Sequence, residues 1–227
     1  MKKRMHLKGK RKRINVFILI PILILILILF LIIKYRDIKP MVISFSENEA
    51  NKLATLIINT AIKEENIQIK DNLYSVENNL INYNTQKINE ILTSITSKIQ
   101  KYFNAIEEGN IDDIGKDILE KYDYKNLKKG VILYIPVGYL TGSSFLANSG
   151  PKIPLKIKLI GDVRTDVKEV LSDYGLNNAL LKISVYVEVV TKSIIPFISN
   201  TETTKVEYPI VLKIIEGDVP EYYIGNR

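Results

Sequence analysis

The chain has 227 residues and a formal net charge of +7, and it contains no cysteine, no tryptophan and a single histidine, His6. Its length fits one large domain or two small ones, and 46% hydrophobic with 25% charged residues is a globular composition. The absence of cysteine excludes disulfides, thiol catalysis and cysteine-based metal sites.

The positive charge is concentrated at the N-terminus. Residues 1–13 carry eight Lys or Arg side chains, whereas residues 40–227 carry 21 basic and 24 acidic side chains, a net charge of −3. A nucleic-acid-binding domain would carry its basic residues on the folded part. The charge therefore indicates membrane orientation and predicts no nucleic-acid partner.

An uncharged apolar segment, Val16–Ile33, follows the basic residues. With Ile14 and Asn15 it would span about 30 Å as a helix, which is one bilayer core. Ile33 leads directly into Lys34 without a small-residue cleavage site, so an anchor is favoured over a removed signal peptide. We predict a cytoplasmic tail at 1–13, a transmembrane helix at 14–33, a spacer at 34–45 and an extracytoplasmic domain at 46–227.

The first half of this domain, 46–129, is predicted to be helical. Ser44 or Ser46 can cap a helix that runs to about Glu65. Short strands are predicted at 66–70 and 80–84, joined through Asp71-Asn72. A second long helix has one apolar face, made by Ile88, Ile91, Leu92, Ile95, Ile99, Tyr102, Phe103 and Ile106. Asp112-Asp113 is predicted to start a further short helix.

The second half, 130–227, is predicted to be β-rich. Strands are expected at 132–137 and 155–160, separated by a Gly- and Ser-rich loop at 138–150. Apolar residues alternate with polar ones from Leu181 to Val189, which predicts a long half-buried strand that pairs with 201–208 and 210–215. The predicted fold class is α+β, with an N-terminal transmembrane helix, two main helices and an antiparallel β-sheet in one extracytoplasmic domain.

The outer domain offers few catalytic groups. It has no histidine or cysteine, which excludes a Ser-His-Asp triad, a Cys-His pair and a His-bearing zinc site. Carboxylate pairs remain possible, either Asp162 with Asp166 or Asp218 with Glu221. No residue is assigned to catalysis, to a cofactor or to a metal ion.

The stretch Ile135–Val163 and two later segments resemble the YunB-type sporulation proteins. The similarity lies in an Ile-Pro-x-Gly-x-Leu-x-Gly-Ser pattern, a Gly-Pro-x-Ile-Pro pattern, a Gly-x-Val turn, the later Ile195-Pro196-Phe197 and a Gly-Asp-Val-Pro near the end. The site residues that we take from this resemblance, with a structural or contact role, are Pro136, Gly138, Gly142, Ser143, Gly150, Pro151, Pro154, Gly161, Gly217, Asp218 and Pro220.

One segment departs from the pattern. The family has Gly-Ile-Asn-Gln-Thr-(Arg/Lys)-His where this chain has Gly175-Leu176-Asn177-Asn178-Ala179-Leu180-Leu181. The resemblance implies an envelope protein that an endospore-forming bacterium uses in sporulation, with no catalytic residue. Together with the predicted anchor and the few catalytic groups, it predicts a cell-membrane protein with no cofactor that acts without catalysis through an envelope protein partner or self-association. The alternatives are a cell-wall glycan binding module and a carboxylate-dependent wall-processing enzyme. No small-molecule substrate is evident.

Overall fold

The computed structural model describes residues 16–65, 73–77, 80–142, 144–175 and 178–216. The chain divides into two compact units, Met1–Met41 and Val42–Arg227. Helix α1 (Val16–Glu65) begins in the first unit and ends in the second. The boundary between the units falls within the predicted spacer.

The described part of the first unit is the beginning of α1. Its side chains are largely apolar and exposed, namely Ile20, Ile22, Leu23, Ile24, Leu25, Ile26 and Leu29. Within the part of the chain that the structure describes, no helix is both long and apolar enough to qualify as a membrane span.

The start of α1 differs from the prediction. We expected a helix capped by Ser44 or Ser46, but α1 begins at Val16 and continues through Pro40. The Ser46 hydroxyl donates a hydrogen bond to the Ile43 carbonyl at 2.8 Å, as a serine inside a helix does, and does not cap a new one. The predicted end at Glu65 is confirmed.

The second unit buries one face of α1 and one face of α2 (Thr85–Glu108). The predicted apolar stripe of α2 is confirmed, because Ile91, Ile95, Ile99, Phe103 and Ile106 are all buried. Asn84 caps the start of this helix through a hydrogen bond from the Lys87 amide. From α1 the core receives Ala50, Leu53, Ala54, Ile57, Ile58 and Ala61.

Short elements connect these helices to the sheet. Strands β1 (Tyr74–Glu77) and β2 (Leu80–Tyr83) form a hairpin, so the predicted strand at 80–84 is confirmed with a different partner. The predicted strand at 66–70 and its turn lie outside the described residues. A 3₁₀ turn at Ile111–Asp113 precedes α3 (Lys116–Lys121) and α4 (Tyr124–Leu127), so Asp112-Asp113 does not start the helix that we expected.

The main sheet is antiparallel and has five strands: β3 (Leu133–Pro136), β4 (Lys152–Leu159), β5 (Arg164–Tyr174), β6 (Asn178–Ile195) and β7 (Ile198–Glu216). The long alternating strand is confirmed as β6, which buries Leu181, Ile183, Val185, Val187 and Val189. Strand β7 pairs with β6 over its whole length. The sequence analysis did not predict β5.

Strands β4 and β5 pair with the same edge of β6. Leu159 lies opposite Thr191 and Arg164 opposite Glu188, so four residues on one side face two on the other. The Gly161-Asp162 corner is therefore a bulge within one long bent strand, and the Ile160 amide donates to the Val190 carbonyl at 2.8 Å.

The end of α1 is tied to α2 by a charged cluster. Glu65 accepts hydrogen bonds from Ser94 at 2.5 Å and from Lys98 at 2.7 Å. Burial raises the pKa of the Glu65 carboxyl, but the bonds from Lys98 and Ser94 together with the Lys98 charge outweigh burial and lower the pKa overall.

Because the folded-state pKa lies below the unfolded one, Glu65 stabilises the fold above its unfolded pKa and loses that contribution as the pH falls through the folded pKa. We expect Glu65→Gln to remove this part of the acid dependence, up to about 1 kcal/mol for a partly exposed pair. Urea unfolding at neutral and acid pH measures it, with the exposed Glu108→Gln as the control. Equal acid sensitivity in the native chain and Glu65→Gln would contradict the assignment.

Candidate functional site

The family-pattern residues in the described part cluster around one loop between β3 and β4, residues 137–151, here called the motif loop. Pro136 ends β3, and Pro154 lies within β4 opposite Tyr134. The Val137 amide donates to the Pro151 carbonyl, and the Gly138 amide donates to the Ser149 carbonyl, both at 2.9 Å. The two ends of the loop are therefore held together by backbone bonds.

Gly138 stands where no side chain fits. A Cβ atom at this position would lie 1.7 Å from the Leu146 carbonyl oxygen and 2.7 Å from that of Ser149. Real Cβ atoms do not approach backbone oxygens so closely, so the loop can fold back on Gly138 only because it is glycine. Gly142 and Gly150 lie in the same loop and have positive φ angles of 71° and 90°.

The other predicted site residues lie elsewhere. Gly161 is at the bulge between β4 and β5, with a φ of 68° and open space around its Cα. Ser143, Gly217, Asp218 and Pro220 lie outside the described residues. The structure thus brings together Pro136, Gly138, Gly142, Gly150, Pro151 and Pro154 and leaves Gly161 apart from them.

The start of α1 in the second unit is joined to β6 and β7 by polar contacts that the sequence analysis missed. Ser193 donates to the Ser46 carbonyl at 3.2 Å, and Asn200 donates to Glu47 at 2.7 Å. Further along, Thr204 donates to Asn51. Because α1 and β7 advance together in these pairs, the two elements run in the same direction.

These contacts define two ends of the second unit. The end near Val42 also holds the β6–β7 turn at Pro196-Phe197, since that turn immediately precedes the part of β7 that contacts the start of this α1 segment. We call it the proximal end. The opposite end, at the β5–β6 turn, is about 50 Å away along β6 and is called the distal end.

The proximal end carries four exposed apolar side chains, here called the crown: Tyr139, Phe145, Leu146 and Phe197. Phe145 is 96% exposed and Phe197 is 97% exposed. Phe197 has a φ of 67°, which is uncommon for an aromatic residue. The sequence signal for the crown is a large aromatic residue, Phe145 or Phe197, in each of two turn-forming segments.

The crown is fixed to α1. The Phe45 and Tyr139 rings meet edge to face with their centroids 5.3 Å apart. Tyr139 belongs to a 3₁₀ turn, Val137–Thr141, that begins the motif loop. The motif loop therefore rests on the first turns of α1 in the second unit.

The outer face of the distal end, here called the distal face, carries the apolar residues Val170, Tyr174, Leu180, Leu212 and Ile214 together with Ser172 and Lys182. Val170 and Leu212 both pair with Lys182, and Ile214 pairs with Leu180, so these side chains share one side of the sheet. Leu212 is 64% exposed. In the described part of the chain no strand pairs with the free edge of β7. The sequence did not predict this patch, because apolar and polar residues do not alternate regularly in the part of β7 that contains Leu212 and Ile214.

The carboxylate pair that the structure describes is not enclosed in a pocket. Asp162 and Asp166 are both exposed, and one Asp166 oxygen accepts a hydrogen bond from the Val167 amide at 2.8 Å. Asp218 and Glu221 lie outside the described residues. A crevice between α2 and the sheet is lined only by apolar residues, among them Leu73, Ile91 and Ile183. Among the described residues no group of three acidic or histidine side chains is placed to hold a metal ion.

The described second unit is thus an α+β domain in which two long helices and an antiparallel sheet support a glycine-dependent loop. The family model described as sporulation protein YunB matches residues 132–222, which include the motif loop and β3–β7. The sporulation protein YunB of Bacillus subtilis (strain 168) is 36% identical over 197 residues, which cover 83% of this chain and 73% of that protein. The chain belongs to the YunB family of sporulation proteins. No solved structure matches it significantly.

Proposed function

We propose that this chain is a single-pass membrane protein of the sporulating bacterial cell, whose outer domain acts without catalysis by binding another protein in the envelope around the developing spore. Family membership supports the role in sporulation. The anchor is supported by the 18 uncharged residues Val16–Ile33 and by the basic residues before them, which favour a cytoplasmic N-terminus and an extracytoplasmic domain.

The distal face is the observation that carries the binding role. An apolar patch on the outer face of a sheet is costly in water unless another surface covers it. Here Leu212 and Ile214 lie on a strand whose other edge pairs with no described strand, so a partner could add both side-chain and backbone contacts. Self-association through the same face is the second form of this proposal.

The departure from the family pattern falls on this face. Asn178, Ala179 and Leu180 open β6, and Leu180 occupies the position at which the resembling proteins have Arg or Lys. Leu180 has Ser172 and Ile214 as its cross-strand neighbours. An aliphatic residue there extends the apolar patch, so we propose that this chain binds its partner with a more apolar surface than the family pattern implies.

The test replaces Leu212 and Ile214 by Lys in the full chain expressed at its native level during sporulation. The matched control is Thr203→Lys, which adds a charge at an exposed position of the same strand. We expect the double variant to accumulate in the membrane yet to form spores as poorly as a deletion strain, whereas Thr203→Lys forms them normally. Cross-linking in the native chain should capture a protein that the double variant loses.

Three results would contradict the proposal at different points. Normal spore yield and normal spore envelope after deletion of the chain would contradict the role in sporulation. A defective deletion strain with a fully active double variant would contradict the distal face. Loss of activity in Asp162→Asn with an unchanged melting temperature would favour a carboxylate enzyme instead.

A further inference from the structure

The crown has no role in the proposed protein contact, because it lies at the other end of the sheet from the distal face. Phe145 and Phe197 are almost fully exposed, and they project from two separate segments, the motif loop and the β6–β7 turn. Exposed aromatic side chains at the end of a domain are unfavourable in water and are common where a protein meets the headgroup layer of a bilayer.

The backbone holds these side chains outward. Phe197 keeps a left-handed conformation that an aromatic residue adopts only under constraint, here imposed by the pairing of Ile195 with Ile198 on either side of the turn. Phe145 immediately precedes a turn of the motif loop, Leu146–Ser149, that is closed by the bond from the Ser149 amide to the Leu146 carbonyl at 2.8 Å. Both rings are thus presented by fixed turns.

The length of the chain limits how far the crown can be from the apolar segment. Eight residues, 34–41, separate Ile33 from Val42, and they span about 12 Å when helical and at most about 29 Å when extended. The crown lies at the same end of the second unit as Val42, because Tyr139 packs on Phe45. A bilayer that holds Val16–Ile33 is therefore within reach of the crown.

The charge of the two segments suits a lipid surface. Residues 139–158 contain three lysines, of which Lys158 pairs with Glu107, and residues 189–201 contain one, with no Asp or Glu in either range. Carboxylates next to the rings would be repelled by anionic lipids, whereas lysines are attracted to them. Lys152 begins β4 directly after the motif loop and is exposed.

We propose that the crown inserts Phe145 and Phe197 into the headgroup layer of the membrane that holds the chain's own apolar segment, which fixes the outer domain against that membrane. The proposal rests on the proposed anchor for its choice of bilayer. It predicts that the distal face, at the other end of β6, points away from that surface and is left free for a protein.

The absence of tryptophan from the chain makes a direct test possible, because one introduced tryptophan is the only such fluorophore. Phe197→Trp and Phe145→Trp place it in the crown, and Tyr174→Trp, at an exposed aromatic position of the distal face, is the matched control. The full chain is reconstituted in phosphatidylcholine and phosphatidylglycerol vesicles with brominated acyl chains. Circular dichroism checks that each variant is folded.

We expect both crown tryptophans to emit at shorter wavelength and to lose more than about half of their emission to the brominated lipid, since interfacial side chains lie about 5–10 Å deep. The control should emit as in water and be quenched by iodide. Equal emission and equal lipid quenching at 197 and 174 in a folded chain would overturn the proposal.

An alkaline wash separates this proposal from the anchor. If the Phe197→Trp chain stays with the vesicles after the wash but its tryptophan is not quenched, the anchor is supported and the crown contact is overturned. A chain that the wash removes lacks the anchor, and the crown contact then stands only if the tryptophan at 197 was quenched before the wash.

Discussion

Gly138→Ala is expected to open the motif loop and to lower the free energy of unfolding by at least about 2 kcal/mol, because the new methyl group meets backbone atoms that cannot rotate away. The Cβ atom would lie 1.7 Å from the Leu146 carbonyl oxygen, so residues 146–149 must move as a segment. That movement breaks the bond between the Gly138 amide and Ser149. Urea unfolding gives the loss of stability, and hydrogen exchange of the amide at position 138, which donates to the Ser149 carbonyl, gives the opening of the loop.

Gly161→Ala is the control for this substitution. Gly161 also belongs to the family pattern, but a Cβ there meets nothing within 4 Å, and only its φ of 68° is unfavourable. The expected cost is about 1–2 kcal/mol, from backbone strain alone, with unchanged exchange of the Gly138 amide. An equal or larger effect of Gly161→Ala would show that Gly138 is not the position on which closure of the loop depends.

The two glycines explain why the site could be recognised in the sequence but not located in space. A glycine-rich stretch predicts a loop, and it did so for 138–150. Which glycine is indispensable depends on Leu146 and Ser149 folding back over Gly138, and this contact is set by the β3–β4 pairing on either side. The exposure of Phe145 follows from the same contact, so neither could be predicted from local sequence.

The strands and helices were predictable where buried residues recur at regular spacing along the chain. Strand β6 is buried on one face over most of its length, and its alternation of Leu, Ile and Val with polar residues reports that directly. Strand β5 is exposed along most of its length, so Val170 and Leu171 stand together without alternation and gave no strand signal. Helix α2 was predicted because most of its apolar stripe is buried.

The start of α1 could not be predicted, because a serine followed by two glutamates is compatible both with a helix N-terminus and with the interior of a helix. The choice was made by packing. Val42 and Ala50 are buried in the second unit, so the helix continues through Ser44 and Ser46 without a break. This continuity means that α1 contributes to the core as well as to the segment before it.

Leu53→Ala tests that contribution, and we expect it to cost about 2–5 kcal/mol, the range for removing a fully buried leucine side chain. Leu53 is fully buried, whereas its neighbour Lys52 is half exposed and paired with Glu49 on the same helix. Lys52→Ala should therefore stay within about 0.5 kcal/mol of the native chain. Urea unfolding of the full chain in detergent, followed at the tyrosines, measures both variants.

A loss of this size is a large part of the roughly 5–15 kcal/mol that keeps a domain folded. If α1 only tethered the domain, Leu53→Ala and Lys52→Ala would have equally small effects, and the crown and the distal face would fold without it. If α1 is core, Leu53→Ala weakens the domain as a whole. In that case α1 also fixes the position of the crown, because Phe45 of α1 packs against Tyr139.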